Sequence, residues 1–230
     1  MKGHYSWLAM QQLLDSALPI GGFSHSFGLE TLVQEGQVIT SAHLERYAAA
    51  MLKQCWAPGD AMVVKAVYRD VPEEEWERLW EVEMLLHSQR IAMETRSGVE
   101  KMGKRLLQLG AAMYPNLDLA RLQEAVRTGA SSATHPLVHG LLCYRIGTTL
   151  EQAVQGYLYT CIVTCINSAL RLISMGQTEG QAMIARLIPQ AEEAWRLVER
   201  QEPEEAWMNM PMAELAMIRH ETLYSRLFMS

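Results

Sequence analysis

Cysteine is scarce. Four residues, Cys55, Cys143, Cys161 and Cys165, occur in 230, and none forms a C-x-x-C pair. This excludes a disulfide framework and leaves reduced thiols in a core as the expectation. Long apolar runs are missing as well, because no stretch reaches the roughly 18 apolar residues of a membrane span. The most apolar one, Tyr157 to Ile173, is interrupted by Asn167, Ser168 and Arg171, so a buried helix is expected there. Met1-Lys2-Gly3-His4-Tyr5 lacks the apolar core of a signal peptide, which makes the cytoplasm the expected location. Basic charge is in deficit: 20 Lys and Arg stand against 26 Asp and Glu, a net charge of −6, and the basic residues are scattered singly. No footprint for a phosphate backbone results, and neither nucleic acid nor membrane is expected as a partner.

What the chain does have is helix-forming material. With 49% apolar and 20% charged residues it is an ordinary globular composition, not a disordered, collagenous or fibrous one. Ala, Leu, Met, Glu and Gln supply 105 residues against 34 for Val, Ile and Thr, a tilt toward side chains that lose little rotamer freedom in a helix. Period-2 strands are not evident, whereas Trp76, Leu79, Trp80, Met84, His87 and Ile91 fall on one helical stripe. That stripe follows Pro72 and the acidic run Glu73-Glu74-Glu75, which suit a first turn. Punctuation places further helices before Pro19, from Ser24 to Glu35, from Ser41, from Asp60 after Pro58-Gly59, and after Gly98, Asn116, Pro136, Thr148, Thr178 and Pro211. Thr148-x-x-Glu151 has the capping-box pattern, and Pro189 is expected to kink the helix opening near Thr178. The expectation is one all-α domain over residues 1–230, a bundle of about nine or ten helices.

Few constellations promise chemistry. Gly21-Gly22-Phe23-Ser24-His25-Ser26-Phe27-Gly28 is followed by no Lys-Ser/Thr pair, is preceded by no strand and is not G-x-S-x-G, so it fits neither phosphate loop nor nucleophile elbow. A hydrolase using Ser24, His25 and Glu30 remains as an alternative, against a sharp glycine turn before a Ser cap. His135 and His139 share i, i+4 spacing, as do Cys161 and Cys165. They leave a direct metal carrier as a second alternative to plain core packing. The carboxylates of Glu73–Glu75 and of Glu204-Glu205 fit solvated first turns.

Two segments stand out. Leu18-Pro19-Ile20-Gly21-Gly22-Phe23 is an apolar connector where polar turn residues are the norm, and it must cover itself against something. The last residues, through Leu227-Phe228-Met229-Ser230, are apolar where a frayed polar tail is usual. They either dock on the chain's own body or await a partner. Continued as a helix, this segment would place His220, Tyr224 and Leu227 on one stripe, with Arg226 beside Thr222.

At the same two segments the sequence resembles the UreF family of urease accessory proteins. The resemblance rests on Leu18-Pro-Ile-Gly-Gly-Phe-Ser-His-Ser-Phe-Gly-Leu-Glu30 and His220-Glu-Thr-Leu-Tyr-Ser-Arg-Leu-Phe-Met-Ser230, with Asn167-Ser-Ala-Leu-Arg-Leu172 and Gly176-Gln-Thr-Glu-Gly-Gln181 in order between them. It implies an all-α homodimer without catalytic residues, cofactor or metal site of its own. That dimer would bridge the accessory protein UreD (UreH in some systems) and the nickel-carrying GTPase UreG, regulate GTP hydrolysis and help mature apo-urease. Carried over residue by residue, it implies that Phe23 and Arg226 order the N-terminal helix and the C-terminal tail for complex assembly, and with His25, His220, Glu221, Tyr224, Leu227 and Phe228 of the two segments they make up the expected partner face. Phe23 stands where some members carry Tyr, which removes any hydrogen bond through a phenol hydroxyl. Ile173-Ser174-Met175-Gly176 stands where members often carry a Pro before Leu-Gly-Gln, a departure that bears on the local turn alone.

Overall fold

The structure, a computed structural model, describes residues 6–230 apart from the Ser6 side chain; Met1–Tyr5, the segment expected to lack a signal-peptide core, lies outside the described residues. Helices follow one another throughout and no strand occurs among the described residues. In order they are α1 (Ser6–Leu14), α2 (Leu29–Gln34), α3 (Ser41–Met51), α4 (Ala61–Asp70), α5 (Trp76–Gln89), α6 (Met93–Met113), α7 (Ala120–Thr128), α8 (His135–Ile146), α9 (Leu150–Ala169), α10 (Gln177–Val198) and α11 (Pro211–His220). The π-helical segment Leu52–Asp60 joins α3 to α4 without a break, which leaves ten helical rods among the described residues. None of them is long and apolar enough to cross a membrane.

α8 is the central rod. Every residue of it except Tyr144 and Arg145 is buried, as expected of a helix apolar on all sides. Pro136 opens it where the missing N–H costs nothing. It packs on α4 through Gly140, where a Cβ would lie 3.2 Å from Val64 Cα, and on α6 through Gly103. The main core cluster draws side chains from every helix, α1 to α11.

Local signals place most helix starts, and the exceptions have tertiary causes. Pro58-Gly59 does not end a helix. The π geometry frees the carbonyls of Gln54 and Pro58, which accept from Asn209 N (2.8 Å) and Trp207 N (3.0 Å) of the α10–α11 connection. Gly98 lies inside α6, where a Cβ would come within 3.0 Å of the His25 ring. Pro189 is no exception: it lies inside α10, the helix expected to open near Thr178, which continues to Val198.

The capping box opens α9 one residue later than expected, at Thr149 with Gln152. Thr148 belongs to the preceding helix end, where its N–H reaches Cys143 O and Gly147 is left-handed (φ 88°). Glu151 instead accepts from Trp195 Nε1.

α5 begins four residues after Pro72, behind a turn in which Glu74 has φ 59°. Its inward face is Trp76, Leu79, Val82, Glu83, Leu86 and His87. Met84 and Ile91, expected on that face, are 55% and 64% exposed. Met84 sits a step around the helix, and Ile91 follows the extended Arg90 that ends it.

Candidate functional site

The first unusual segment folds as a turn, not as the start of a helix running from Ser24 to Glu35. Gly21 takes φ 89°, a single 3-10 turn covers Gly22–Ser24, and the left-handed Phe27 and Gly28 delay α2 until Leu29. The end of α9 holds this turn from one side. Ser168 Oγ donates to His25 O (3.3 Å), and Arg171 Nη1 donates to Phe23 O (2.9 Å). Arg105 Nε donates to Pro19 O (3.3 Å). Leu18 and Ile20 are half-buried, while the Phe23 ring is 73% exposed. His25 is buried against Gly98 and stacks on Phe27 at 5.5 Å. Burial, with the Lys101 charge, pushes its pKa down to about 4, so a neutral ring faces Ser230 Oγ at 2.7 Å.

The second segment grips the same turn from the other side. α11 stops at His220, and residues 221–230 run as a non-helical strap. The stripe of His220, Tyr224 and Leu227 therefore does not form, because the strap's amides have better acceptors than a solvated helix would offer. Leu227 N and Phe228 N donate to the Glu30 carboxylate (2.7 and 3.1 Å), and Met229 N donates to Ser24 O (2.7 Å). Ser230 O accepts from Phe27 N (3.1 Å) and Ser26 Oγ (2.9 Å).

Glu30 is the hub of this arrangement. Besides the two strap amides it meets His220 Nε2 at 3.0 Å, while His220 Nδ1 lies 2.7 Å from Glu94. Arg226 Nη1 donates to Glu94 Oε1 (2.6 Å). Burial alone would raise the pKa of Glu30, but the Leu227 amide, His220 and the Phe228 amide outweigh it and hold the carboxyl below its ordinary value.

Of the residues implied as a partner face, Phe23, Glu221, Tyr224, Arg226 and Leu227 lie at the surface, whereas His25, His220 and Phe228 are buried and attach the strap to the body. The fold brings the two segments together from opposite ends of the chain, and Met229, 57% exposed, joins them. Glu94, Gln34, Ser168 and Arg171 hold the arrangement and were not among the residues expected. Only Ser168 and Arg171 had a signal, as members of the Asn167–Leu172 motif.

The alternative chemistries lack their geometry. His25 Nδ1 faces Ser230, and Glu30 is occupied by His220 and two amides, so Ser24, His25 and Glu30 do not form a relay. His135 and His139 are buried with ring centroids 6.3 Å apart. Burial pushes their pKa values down to about 3 and about 4. Cys161 and Cys165 border a cavity of about 80 Å³ together with Cys55 and the Asp60–Arg90 ion pair. Burial pushes all three thiols up, Cys165 to about 12, which disfavours the thiolate a metal needs. Among the described residues no three His, Cys, Asp or Glu side chains are grouped to hold a metal ion.

Comparison with known proteins fits a non-catalytic assignment. The UreF family profile matches residues 38–188. The urease accessory protein UreF of Lachnoclostridium phytofermentans is 30% identical over 223 residues, covering 97% of this chain and 98% of that relative. Those of Bacillus sp. and Arthrobacter sp. are 31% and 30% identical over 223 residues, each again covering 97% of this chain, and 98% and 96% of the relative. The chain belongs to the UreF family. It is thus a urease accessory protein and not an enzyme. In this UreF-family chain the profile match leaves out both terminal segments, so the docked strap and its turn lie outside the span the profile describes.

Proposed function

We propose that this protein is a cytoplasmic homodimeric scaffold of the nickel-insertion complex that matures apo-urease. In that complex it bridges UreD (UreH) and the GTPase UreG and regulates GTP hydrolysis by UreG. One observation carries the reading: Phe23, Tyr224, Leu227 and Met229 are 73%, 107%, 52% and 57% exposed, yet they sit on segments fastened by buried polar groups. Exposed apolar side chains on an ordered frame suit partner binding, since the frame's ordering entropy is already spent before contact. Arg226 adds a guanidinium half free of its Glu94 pair, able to meet a carboxylate or carbonyl across an interface.

Size-exclusion of the purified chain with UreD and UreG tests this proposal. A co-eluting ternary species is expected. Failure of both pairings at low and at moderate salt would refute it.

A further inference from the structure

We infer that Arg171 is the positioning residue that makes one partner surface out of the two terminal segments. This rests on the scaffold reading above and names the residue on which its face depends. Arg171 follows the last turn of α9, and its guanidinium engages both segments at once. An edge donates to Phe23 O at 2.9 Å, while its carbon lies 4.4 Å from the centre of the Phe228 ring. The first contact fixes the exposed Phe23, and the second covers the one buried apolar side chain of the strap.

Phe228 is buried, yet neither it nor any other residue of 221–230 belongs to a core cluster. Its burial therefore depends on what lies over it, and Arg171 lies over it. A planar cation with several donors can bond a carbonyl at its edge and offer its face to a ring together, which an ammonium cannot. Arg171 is itself exposed, so its removal leaves no hole in the interior.

Amide hydrogen exchange on the whole chain tests the inference. In Arg171→Gln the strap amides of Leu227, Phe228 and Met229 and the turn amides of Ser24 and His25 are expected to exchange about tenfold faster, while those of α8 stay unchanged. Arg171→Lys restores a donor to Phe23 O but not a flat face over Phe228, so the turn amides recover and the strap amides remain fast. A purely structural role would not produce that split. Binding of UreD and UreG is measured on the same samples and is expected to weaken about tenfold in Arg171→Gln, in step with the strap.

Wild-type exchange in both segments of Arg171→Gln would overturn the inference, as would loosening of α8 to the same extent. Faster exchange with undiminished partner binding would also overturn the positioning role. Should the wild-type chain bind neither partner, the scaffold reading is what fails, and the exchange pattern still reports on the clamp.

Discussion

Gly103→Ala is expected to destabilise the protein by about 4 kcal/mol or more. A Cβ at this position of α6 would lie 1.9 Å from Ala133 O, 2.6 Å from Thr134 C and 2.7 Å from His135 N. All three are backbone atoms, and the segment that carries them cannot retreat. The buried Glu83 carboxylate accepts from Ser131 Oγ (2.6 Å), Ser132 N (3.2 Å) and Thr134 N (2.7 Å), pinning the approach to α8. Relief would require the central helix to separate from α6 or Glu83 to lose its donors.

Either cost exceeds about 4 kcal/mol, a large part of the roughly 5–15 kcal/mol that holds a domain together. Gly110→Ala provides the contrast. There the nearest atoms a Cβ would meet belong to the Leu142 side chain, at 2.6 Å, which can change rotamer, and a loss of about 1–3 kcal/mol is expected. Urea midpoints of the two variants decide the matter. A Gly103→Ala protein within 1 kcal/mol of wild type would contradict the packing described for α6 and α8.

Acid is expected to weaken the fold well before its carboxylates titrate. His25, His135 and His139 are buried as neutral rings, their pKa values pushed down by burial to about 4, about 3 and about 4. The unfolded chain takes up protons on these rings near 6.5, and the folded chain refuses them until much lower pH. Their contribution is therefore fully present above pH 6.5. It is lost progressively as pH falls toward 4, and together the three amount to several kcal/mol, to order of magnitude.

Carboxylates act later. Glu30 is held below its ordinary value, and Glu204 is held down at about 2, chiefly by its bond from Arg69, so their stabilisation is fully present above the ordinary carboxylate range and is lost only as pH falls through that range and below it. The fall in urea midpoint between pH 6.5 and 5 thus belongs to the histidines. His135→Gln should flatten that slope whatever it does to the absolute midpoint. An unchanged slope would assign the acid sensitivity elsewhere.

The helices announced by local chemistry were legible in the sequence. Pro136 and Pro211 stand in the first turns of α8 and α11, and Ser41 opens α3 behind the Thr40 cap. Where the reading slipped, a distant residue had taken the decisive hydrogen bond. Pro58-Gly59 passes through a π segment because residues 207–209 supply donors to its free carbonyls. α11 stops at His220 because Glu30, 190 positions earlier, takes its ring nitrogen and then two amides of the strap.

The candidate site divides in the same way. Phe23, Tyr224 and Leu227 stand out in sequence, since apolar side chains in connectors demand an explanation. Glu94 does not, being an ordinary first-turn glutamate until the fold sets it between His220 and Arg226. Likewise the i, i+4 histidines of α8 suggest a metal pair by spacing alone, and only their full burial against Tyr157 shows them to be core.

The most direct test is the affinity of a Tyr224→Ser/Leu227→Ser double variant for UreD and UreG, measured beside its urea midpoint. Neither side chain supports the interior, so the midpoint should match wild type. Binding to at least one partner should fall by about 2 kcal/mol or more, roughly thirtyfold, as for central residues of an interface. Wild-type affinity for both partners would show that the docked strap is no partner surface, and the account of this molecule as a pre-ordered scaffold would be wrong.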